Sequence, residues 1–107
     1  MSLTPMIHVV ASIQFDQKQT EALNSIYREL VPQVLAENGC LQYQPTFDFE
    51  TDLPNQDKNA SLITVTEIWE SYEAFQAHLK APHVIIFREQ IKGIVEKVTV
   101  KILQPFA

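Results

Sequence analysis

The order of hydrophobic repeats along the chain constrains its fold more than any other feature. Apolar and polar residues alternate over residues 7–15, whereas over 18–37 the apolar residues recur at three- and four-residue steps. The first pattern is typical of a strand and the second of an amphipathic helix. The same reasoning predicts strands over 41–49, 60–70 and 96–104, and helices over 72–80 and 82–93. The order β-α-β-β-α-β, with its second helical element split at Pro82, predicts an α+β, ferredoxin-like split-βαβ fold.

Capping and breaking residues fall at the predicted ends of these elements. Asp16 and Ser71 are suitable N-caps, and Gly39 provides a left-handed stop after the first helix. Pro32 lies inside that helix, where we expect a kink because it removes one backbone hydrogen bond. Pro45 cannot donate to a sheet ladder, so the second strand is expected at an edge of the sheet.

Length and charge place the chain among small single-domain proteins. Residues 6–107 are predicted to form one domain, and residues 1–5 a leader or vector remnant. A net charge of −5 without any basic run argues against a nucleic-acid partner. No apolar run is long enough to span a membrane and no signal peptide is evident, so we expect a cytoplasmic protein. The single cysteine, Cys40, is expected to be a buried, inert thiol.

The predicted strands carry apolar residues on both faces. Ile63 and Val65 point to one face of the third strand, and Leu62 and Ile68 to the other. Helices on one face would leave the second face as a large apolar patch, which usually marks an interface. The sequence therefore predicts a two-fold homodimer whose sheets pack face to face.

Three residues between positions 67 and 78 are candidates for proton chemistry. Glu67 and Trp69 share the face of Ile63 and Val65, where a carboxylate must be hydrogen-bonded or its pKa rises. His78 is expected to face inward with the apolar side of its helix. Each has a structural alternative: Glu67 could satisfy a neighbouring backbone group or arginine, and Trp69 and His78 could be ordinary core residues.

The remaining candidates for chemistry give weaker signals. His83 follows Pro82 in the first turn of a helix, where a capping or surface role is expected and the helix dipole disfavours a protonated ring. His8 lies on the strand face opposite Ile7 and Val9. No spacing of ligands indicates a metal site, and two glycines are too few for a glycine-rich phosphate loop.

Several short motifs resemble those of one known family. Glu67-Ile68-Trp69-Glu70-Ser71, Ala77-His78-Leu79 and Pro82-His83 resemble the E-x-W-x-S, A-H-L and P-H signature of the antibiotic biosynthesis monooxygenase family. Asn38-Gly39-Cys40-Leu41, Val31-Pro32 and the end at Ile102-Leu103-Gln104-Pro105 are similar to its bacterial quinol monooxygenase, or YgiN-like, branch. The resemblance extends from Met6 over nearly the whole chain.

This resemblance implies a dimeric α/β barrel and a cofactor-free oxygenation of a small aromatic quinol or polyphenol by dioxygen. His78, Glu67 and Trp69 are then the expected catalytic residues, and the expected substrate-binding residues are Phe47, Phe75, His83 and Phe87. Arg88 stands where haem-degrading relatives carry an axial histidine, so no haem is expected. Val65 and Phe75 replace an asparagine and a tyrosine of polyketide-oxidising members. Two alternatives stay open: an isomerase of small carbonyl compounds, and a stress-related binding dimer without turnover.

Overall fold

A four-stranded antiparallel sheet and three helices make up the computed structural model, which describes residues 5–107. Residues 1–4 of the predicted leader lie outside the described residues. The elements follow one another as β1 (Ile7–Phe15), α1 (Thr20–Leu35), β2 (Cys40–Thr46), β3 (Leu62–Trp69), α2 (Tyr72–Leu79), α3 (Pro82–Gln90) and β4 (Val95–Leu103). The strand order β2-β3-β1-β4 confirms the ferredoxin-like prediction. No helix within 5–107 is long and apolar enough to cross a lipid bilayer.

Strand register places one row of side chains directly below the helices. Tyr43 pairs with Glu67, Glu67 with Val9, and Val9 with Ile102, so these four residues point to the same face. Apart from Ile102 they are buried. The register thus puts one carboxylate and one phenol among the aliphatic residues of the sheet's core face.

The helix α1 forms as its apolar stripe predicts and packs that stripe on the sheet. Leu23, Tyr27, Leu30 and Val34 are its buried residues. Asp16 caps a short 3-10 turn, Gln17–Gln19, that leads directly into α1, and its carboxylate accepts a hydrogen bond from the Lys18 amide. The helix continues through Pro32 to Leu35.

The second strand is shorter than the alternating pattern predicted. The strand β2 ends at Thr46, so the prediction that it continues to residue 49 is wrong. Beyond Thr46, hydrogen bonds form within the segment that connects β2 to β3. The Asp48 carboxylate accepts a hydrogen bond from the Asn59 amide, and the Gln56 side chain donates one to the Phe49 carbonyl. Phe47 and Phe49 are consequently about 80% exposed. The edge position predicted from Pro45 is confirmed, because β2 is the outer strand next to β3.

The other edge strand, β4, carries an apolar row that the helices leave largely uncovered. Val98, Val100 and Ile102 pair with buried residues of β1 and share their face, yet each is about half exposed. The opposite face of the sheet is mixed, with Ser12 and Thr66 as well as Val10 and Ile68. The large apolar patch expected on the helix-free face is therefore replaced by the β4 row on the other face of the sheet. The homodimer stays a prediction, and this row is the apolar surface that would support it.

Candidate active site

A cavity of about 160 Å³ lies between the sheet and the helices. The sheet forms its floor, with Val9, Ala11, Ile13, Tyr43, Val65, Glu67, Val98 and Val100. The three helices and the turn after α3 form its walls, with Tyr27, Leu30, Phe75, His78, Leu79, Val84, Phe87, Arg88 and Ile91. Most of these side chains are aliphatic or aromatic, so the few polar groups in the cavity act in a poorly solvated space.

Glu67 contributes a carboxyl group to the cavity floor. Its Oε1 accepts a hydrogen bond of 3.0 Å from the Trp69 indole Nε1, two residues along the same strand. Burial raises the pKa of Glu67 to about 7, the Trp69 hydrogen bond lowers it, and nearby Glu37 raises it. A carboxyl group with this pKa is partly protonated near neutral pH, whereas an ordinary exposed glutamate is almost fully ionised there.

Two tyrosines line the cavity, and one of them, Tyr27, also lines a second cavity of about 300 Å³ between α1 and β2. Tyr27 projects from α1 and Tyr43 from β2, and both are buried. Neither hydroxyl has a hydrogen-bond partner within residues 5–107. Every side-chain oxygen or nitrogen in this range that is completely inaccessible does have a partner, so both hydroxyls must be in contact with accessible space. Burial raises the pKa of both phenols well above the ordinary value, with Glu67 adding to the shift. They are protonated donors at neutral pH.

His78 is the candidate proton acceptor of the cavity. Its Nδ1 lies 2.8 Å from Oε2 of Glu37, which fixes the Nδ1–H tautomer and leaves Nε2 with a lone pair. Burial lowers the pKa of His78, and the Glu37 carboxylate opposes this shift. Trp69 and Phe75 hold the ring from two sides, with centroids 4.7 Å and 6.0 Å away. The imidazole is thus neutral, oriented and able to accept a proton.

The oxygen of Glu37 that contacts His78 also contacts a second histidine. His83 Nε2 lies 2.7 Å from Glu37 Oε2, and the Glu37 side chain is only 12% exposed. One carboxylate oxygen therefore joins two imidazoles, one from α2 and one from the first turn of α3. The His83 ring itself does not line the 160 Å³ cavity.

A tight turn after α1 carries Glu37 to this position. Gly39 has φ +86°, a conformation that glycine adopts without strain, and its carbonyl accepts the Glu70 amide at 2.8 Å. A Cβ at Gly39 would lie only 2.6 Å from the Cβ of Ala74 in α2. Glycine thus permits the close contact between this turn and α2 that lets Glu37 reach His78.

The residues predicted from the sequence separate into three groups in the structure. Glu67, His78, Phe75 and Phe87 line the cavity together. Trp69 is fully buried behind His78 and Glu67 and does not line it. Phe47 lines a different cavity, of about 300 Å³, between the start of α1 and the end of β2.

Two further predictions concern single residues near the site. His83 is only 20% exposed at its side chain and bonds to Glu37, so its expected capping or surface role does not describe it. Cys40 is half buried, and burial together with Glu37 and Glu67 raises the pKa of its thiol to about 11. A thiol with such a pKa is a poor nucleophile at neutral pH, in line with the inert role expected for it.

Sequence reasoning missed three residues of the site: Glu37, Tyr27 and Tyr43. The two tyrosines occupied positions in the predicted apolar stripes, and that periodicity was the signal for their inward direction. Glu37 gave no such signal, because its partner His78 is 41 residues away along the chain. Within the described ranges, no group of three or more histidine, cysteine or acidic side chains is arranged to hold a metal ion.

Fold and cavity together define a ferredoxin-like α+β protein with a largely apolar cavity that contains a few titratable side chains. The model of the family described as antibiotic biosynthesis monooxygenase matches residues 6–90. The chain belongs to this family, as its motifs indicated.

Comparisons with individual proteins agree with this assignment. A protein named probable quinol monooxygenase YgiN, from Escherichia coli (strain K12), is 34% identical over 102 residues, covering 94% of this chain and 98% of that protein. The crystal structure of PA3566 from Pseudomonas aeruginosa has a TM-score of 0.83 at 24% identity and covers both chains fully. Rv0793 from Mycobacterium tuberculosis has a TM-score of 0.77 at 21% identity, covering 95% of this chain and 96% of that one. These two structures share the fold.

Proposed function

We propose that this protein is a cofactor-independent monooxygenase that oxidises a small aromatic quinol or polyphenol with dioxygen. The observation that carries the proposal is the pairing of a neutral, oriented His78 with Glu67 inside one apolar cavity. Membership of a monooxygenase family and the similarity to a protein named as a quinol monooxygenase support the reaction class.

The size of the cavity favours a substrate with one ring. An engineered apolar cavity of about 150 Å³ binds benzene, so about 160 Å³ suits a single hydroxylated ring. Phe75 and Phe87 would pack against that ring, and the Tyr27 and Tyr43 hydroxyls would donate to its oxygens. Polar groups at fixed positions in an apolar pocket set the orientation of a ligand.

In the proposed reaction, His78 Nε2 takes the proton of one substrate hydroxyl. The resulting anion reduces dioxygen by one electron, and the two radicals combine to form a carbon–oxygen bond. The hydroperoxide then loses water: one oxygen atom stays on the ring, and the other leaves with the protons that the quinol has given up. A hydroquinone and dioxygen thus give a hydroxyquinone and water. The apolar walls would exclude water from the reactive anion once a second chain covers the open side at Val98 and Val100.

A homodimer belongs to the same proposal. Val98 and Val100 line the cavity and are about half exposed, so a second chain packed on β4 would close the cavity on that side. Such an obligate interface should bury on the order of 2,000 Å² or more.

Oxygen uptake by metal-stripped protein with a panel of hydroquinones tests the reaction. We expect uptake above the autoxidation background and purified protein without a visible absorption band. A band that survives gel filtration together with stoichiometric iron, copper or flavin would contradict the cofactor-free mechanism. Saturable binding without uptake or product would indicate a binding protein instead.

Replacement of His78 tests the assigned base. We expect His78→Ala to lower turnover by about a hundredfold or more, the usual scale for a general base. The melting temperature of the same sample should fall only modestly, because such a substitution typically costs about 1–2 kcal/mol. His8→Ala, on the opposite face of β1, is the control and should leave turnover unchanged. An active but less stable His78→Ala protein would show that His78 is only a core residue.

A second candidate function is the isomerisation of a small carbonyl compound. The observation that favours it is again in the cavity: Glu67, with a pKa of about 7, and His78 form an acid and a base of the kind that enolisation requires. Isomerised product without oxygen uptake would favour this candidate over the oxygenase.

A further inference from the structure

The two histidines that share Glu37 lie at two different cavities. His78 lines the apolar cavity of the candidate active site. His83 lines a separate cavity of about 210 Å³ between α1 and α3, with Ile26, Glu29, Leu30, Gln33, Ile86 and Gln90. Leu30, which is 3% exposed, is the one residue common to the two linings.

Glu37 is the polar connection between these two spaces. Its Oε2 lies 2.8 Å from Nδ1 of His78 and 2.7 Å from Nε2 of His83. The second ring nitrogen of His78, Nε2, has no hydrogen-bond partner within residues 5–107. Because every completely inaccessible side-chain nitrogen in this range has a partner, Nε2 must be in contact with accessible space. The His83 side chain is 20% exposed, whereas that of His78 is 7% exposed. The pair thus has an inner and an outer end.

We infer that Glu37 couples His78 and His83 into one proton-exchange unit, in which the uptake of a substrate proton at His78 is matched by the release of a different proton at His83. This inference rests on the proposed function for the source of the proton. It assigns a role to Glu37 and to His83 that is separate from contact with the substrate.

The balance of the step follows from the shared oxygen. In the proposed starting state, the pair holds one imidazolium at its outer end, His83, beside the Glu37 carboxylate, and His78 is neutral. The substrate O–H bond breaks and an N–H bond forms at Nε2 of His78. The substrate anion offsets the new charge at Nε2, but two imidazolium rings would now share the single Glu37 oxygen, and their repulsion favours release of the Nδ1 proton of His83 to water. No electron moves in this step, and no proton passes through Glu37.

Other charged groups around the unit define its electrostatic setting. Glu67 on β3 and Arg88 on α3 line the cavity with His78, and Cys40 follows the turn that carries Glu37. Glu29 on α1 is the acidic group in the cavity of His83. Burial lowers the pKa of His78, Arg88 and His83 lower it further, and Glu37 raises it. The return of the proton from His78 to the reduced oxygen later in the reaction would reset the pair.

Calorimetry with para-nitrophenol tests the unit without any oxidation. The anion of this phenol absorbs visible light, and binding heats in buffers of different ionisation enthalpy count the protons released. At mildly acidic pH we expect the wild-type protein to bind the anion and to release about one proton per ligand. In His83→Gln the bound anion should still form while proton release falls towards zero, because the proton stays on His78. Glu37→Gln should release no proton on binding and should show a weaker absorption band of the bound anion. His8→Gln should match the wild type. Undiminished release in His83→Gln would overturn the inference.

Imidazole NMR in the absence of ligand gives an independent measurement. We expect the Nδ1–H tautomer at His78, and His83→Gln should shift the titration of His78 whereas His8→Gln should not. An unchanged His78 titration in His83→Gln would also overturn the inference. If para-nitrophenol does not bind, the aromatic substrate of the proposed function is contradicted, and the NMR titration alone decides on the linked pair. Correct proton release without oxygen uptake from hydroquinones would instead contradict the oxygenase reaction and leave the pair in place.

Discussion

The indole Nε1 of Trp69 donates a hydrogen bond of 3.0 Å to Oε1 of Glu67 on the core face of β3. Both side chains are buried, and strand geometry places residues two apart on the same face. Because Trp69 does not line the cavity, its contribution to the site is to orient Glu67 and to support the His78 ring 4.7 Å away. The sequence had suggested a catalytic residue in direct contact with the substrate. The geometry favours a positioning residue.

Replacing Trp69 with phenylalanine should therefore change the acidity of Glu67. Trp69→Phe removes the hydrogen bond that lowers the pKa of Glu67, so we expect the pKa of this buried carboxyl to rise above about 7. The unpaired acceptor should also cost roughly 1–3 kcal/mol of stability. Carboxyl carbon NMR measures the pKa directly, with the exposed Glu73 as an internal reference. An unchanged Glu67 titration would contradict the assigned role of Trp69.

Glu67 should also make the stability of the fold depend on pH. Its folded-state pKa is raised from 4.5 to about 7, so folding favours the protonated carboxyl. The contribution of Glu67 to the free energy of unfolding is fully present below its unfolded-state pKa and is lost as the pH rises through about 7. The loss is roughly 3 kcal/mol, because each unit of pKa difference is worth about 1.4 kcal/mol.

Denaturant unfolding of Glu67→Gln at several pH values checks this loss. The variant keeps an acceptor for Trp69 but cannot ionise, so its stability relative to the wild type should increase between pH 5 and pH 8. The control Glu73→Gln, at an exposed position of α2, should show no such trend. If the free energy of unfolding depends on pH in the same way for the wild type and Glu67→Gln, ionisation of Glu67 does not destabilise the fold.

The fold was predictable because its signals are local. Two-residue alternation identified β1, and the stripe of Leu23, Tyr27, Leu30 and Val34 identified α1. Alternation failed only at the end of β2, where Phe47 continues the pattern but the side chains of Asp48 and Gln56 bond within the connection. The alternation of apolar and polar residues cannot show that side-chain hydrogen bonds in a loop replace the backbone hydrogen bonds of a strand.

The candidate site was predictable only in part, because it depends on contacts between distant segments. Glu67 was recognisable as a carboxylate on an apolar strand face, and His78 as an inward-facing histidine. The contact of Glu37 with both histidines depends on how the turn at Gly39 packs on α2, which no spacing in the sequence specifies. His83 was accordingly expected at the surface, although it belongs to this cluster.

The turn at Gly39 offers a direct test of how Glu37 is positioned. Gly39 and Gly93 both have positive φ, near +85°, but only at Gly39 would a Cβ meet another atom, the Ala74 Cβ at 2.6 Å. Gly93→Ala should therefore cost only the left-handed backbone strain of about 1–2 kcal/mol. Gly39→Ala should cost about 1–3 kcal/mol more because of overpacking, and it should lower turnover by displacing Glu37. Chemical denaturation and turnover of the two variants are the measurements, and equal effects would show that the close approach to α2 is unimportant.

The homodimer should depend on the exposed apolar row of β4. Val100 lies at the centre of this row, between Val98 and Ile102, and Thr99 points to the opposite face of the same strand. We expect the wild-type protein to be a dimer at micromolar concentration by light scattering, because burying this row removes apolar surface from water. Val100→Lys should shift the equilibrium to monomer, since a charge buried in the interface has no partner, whereas Thr99→Lys should leave the dimer intact. Dissociation by Thr99→Lys alone would place the interface on the other face of the sheet, and a stable wild-type monomer would rule out the dimer altogether.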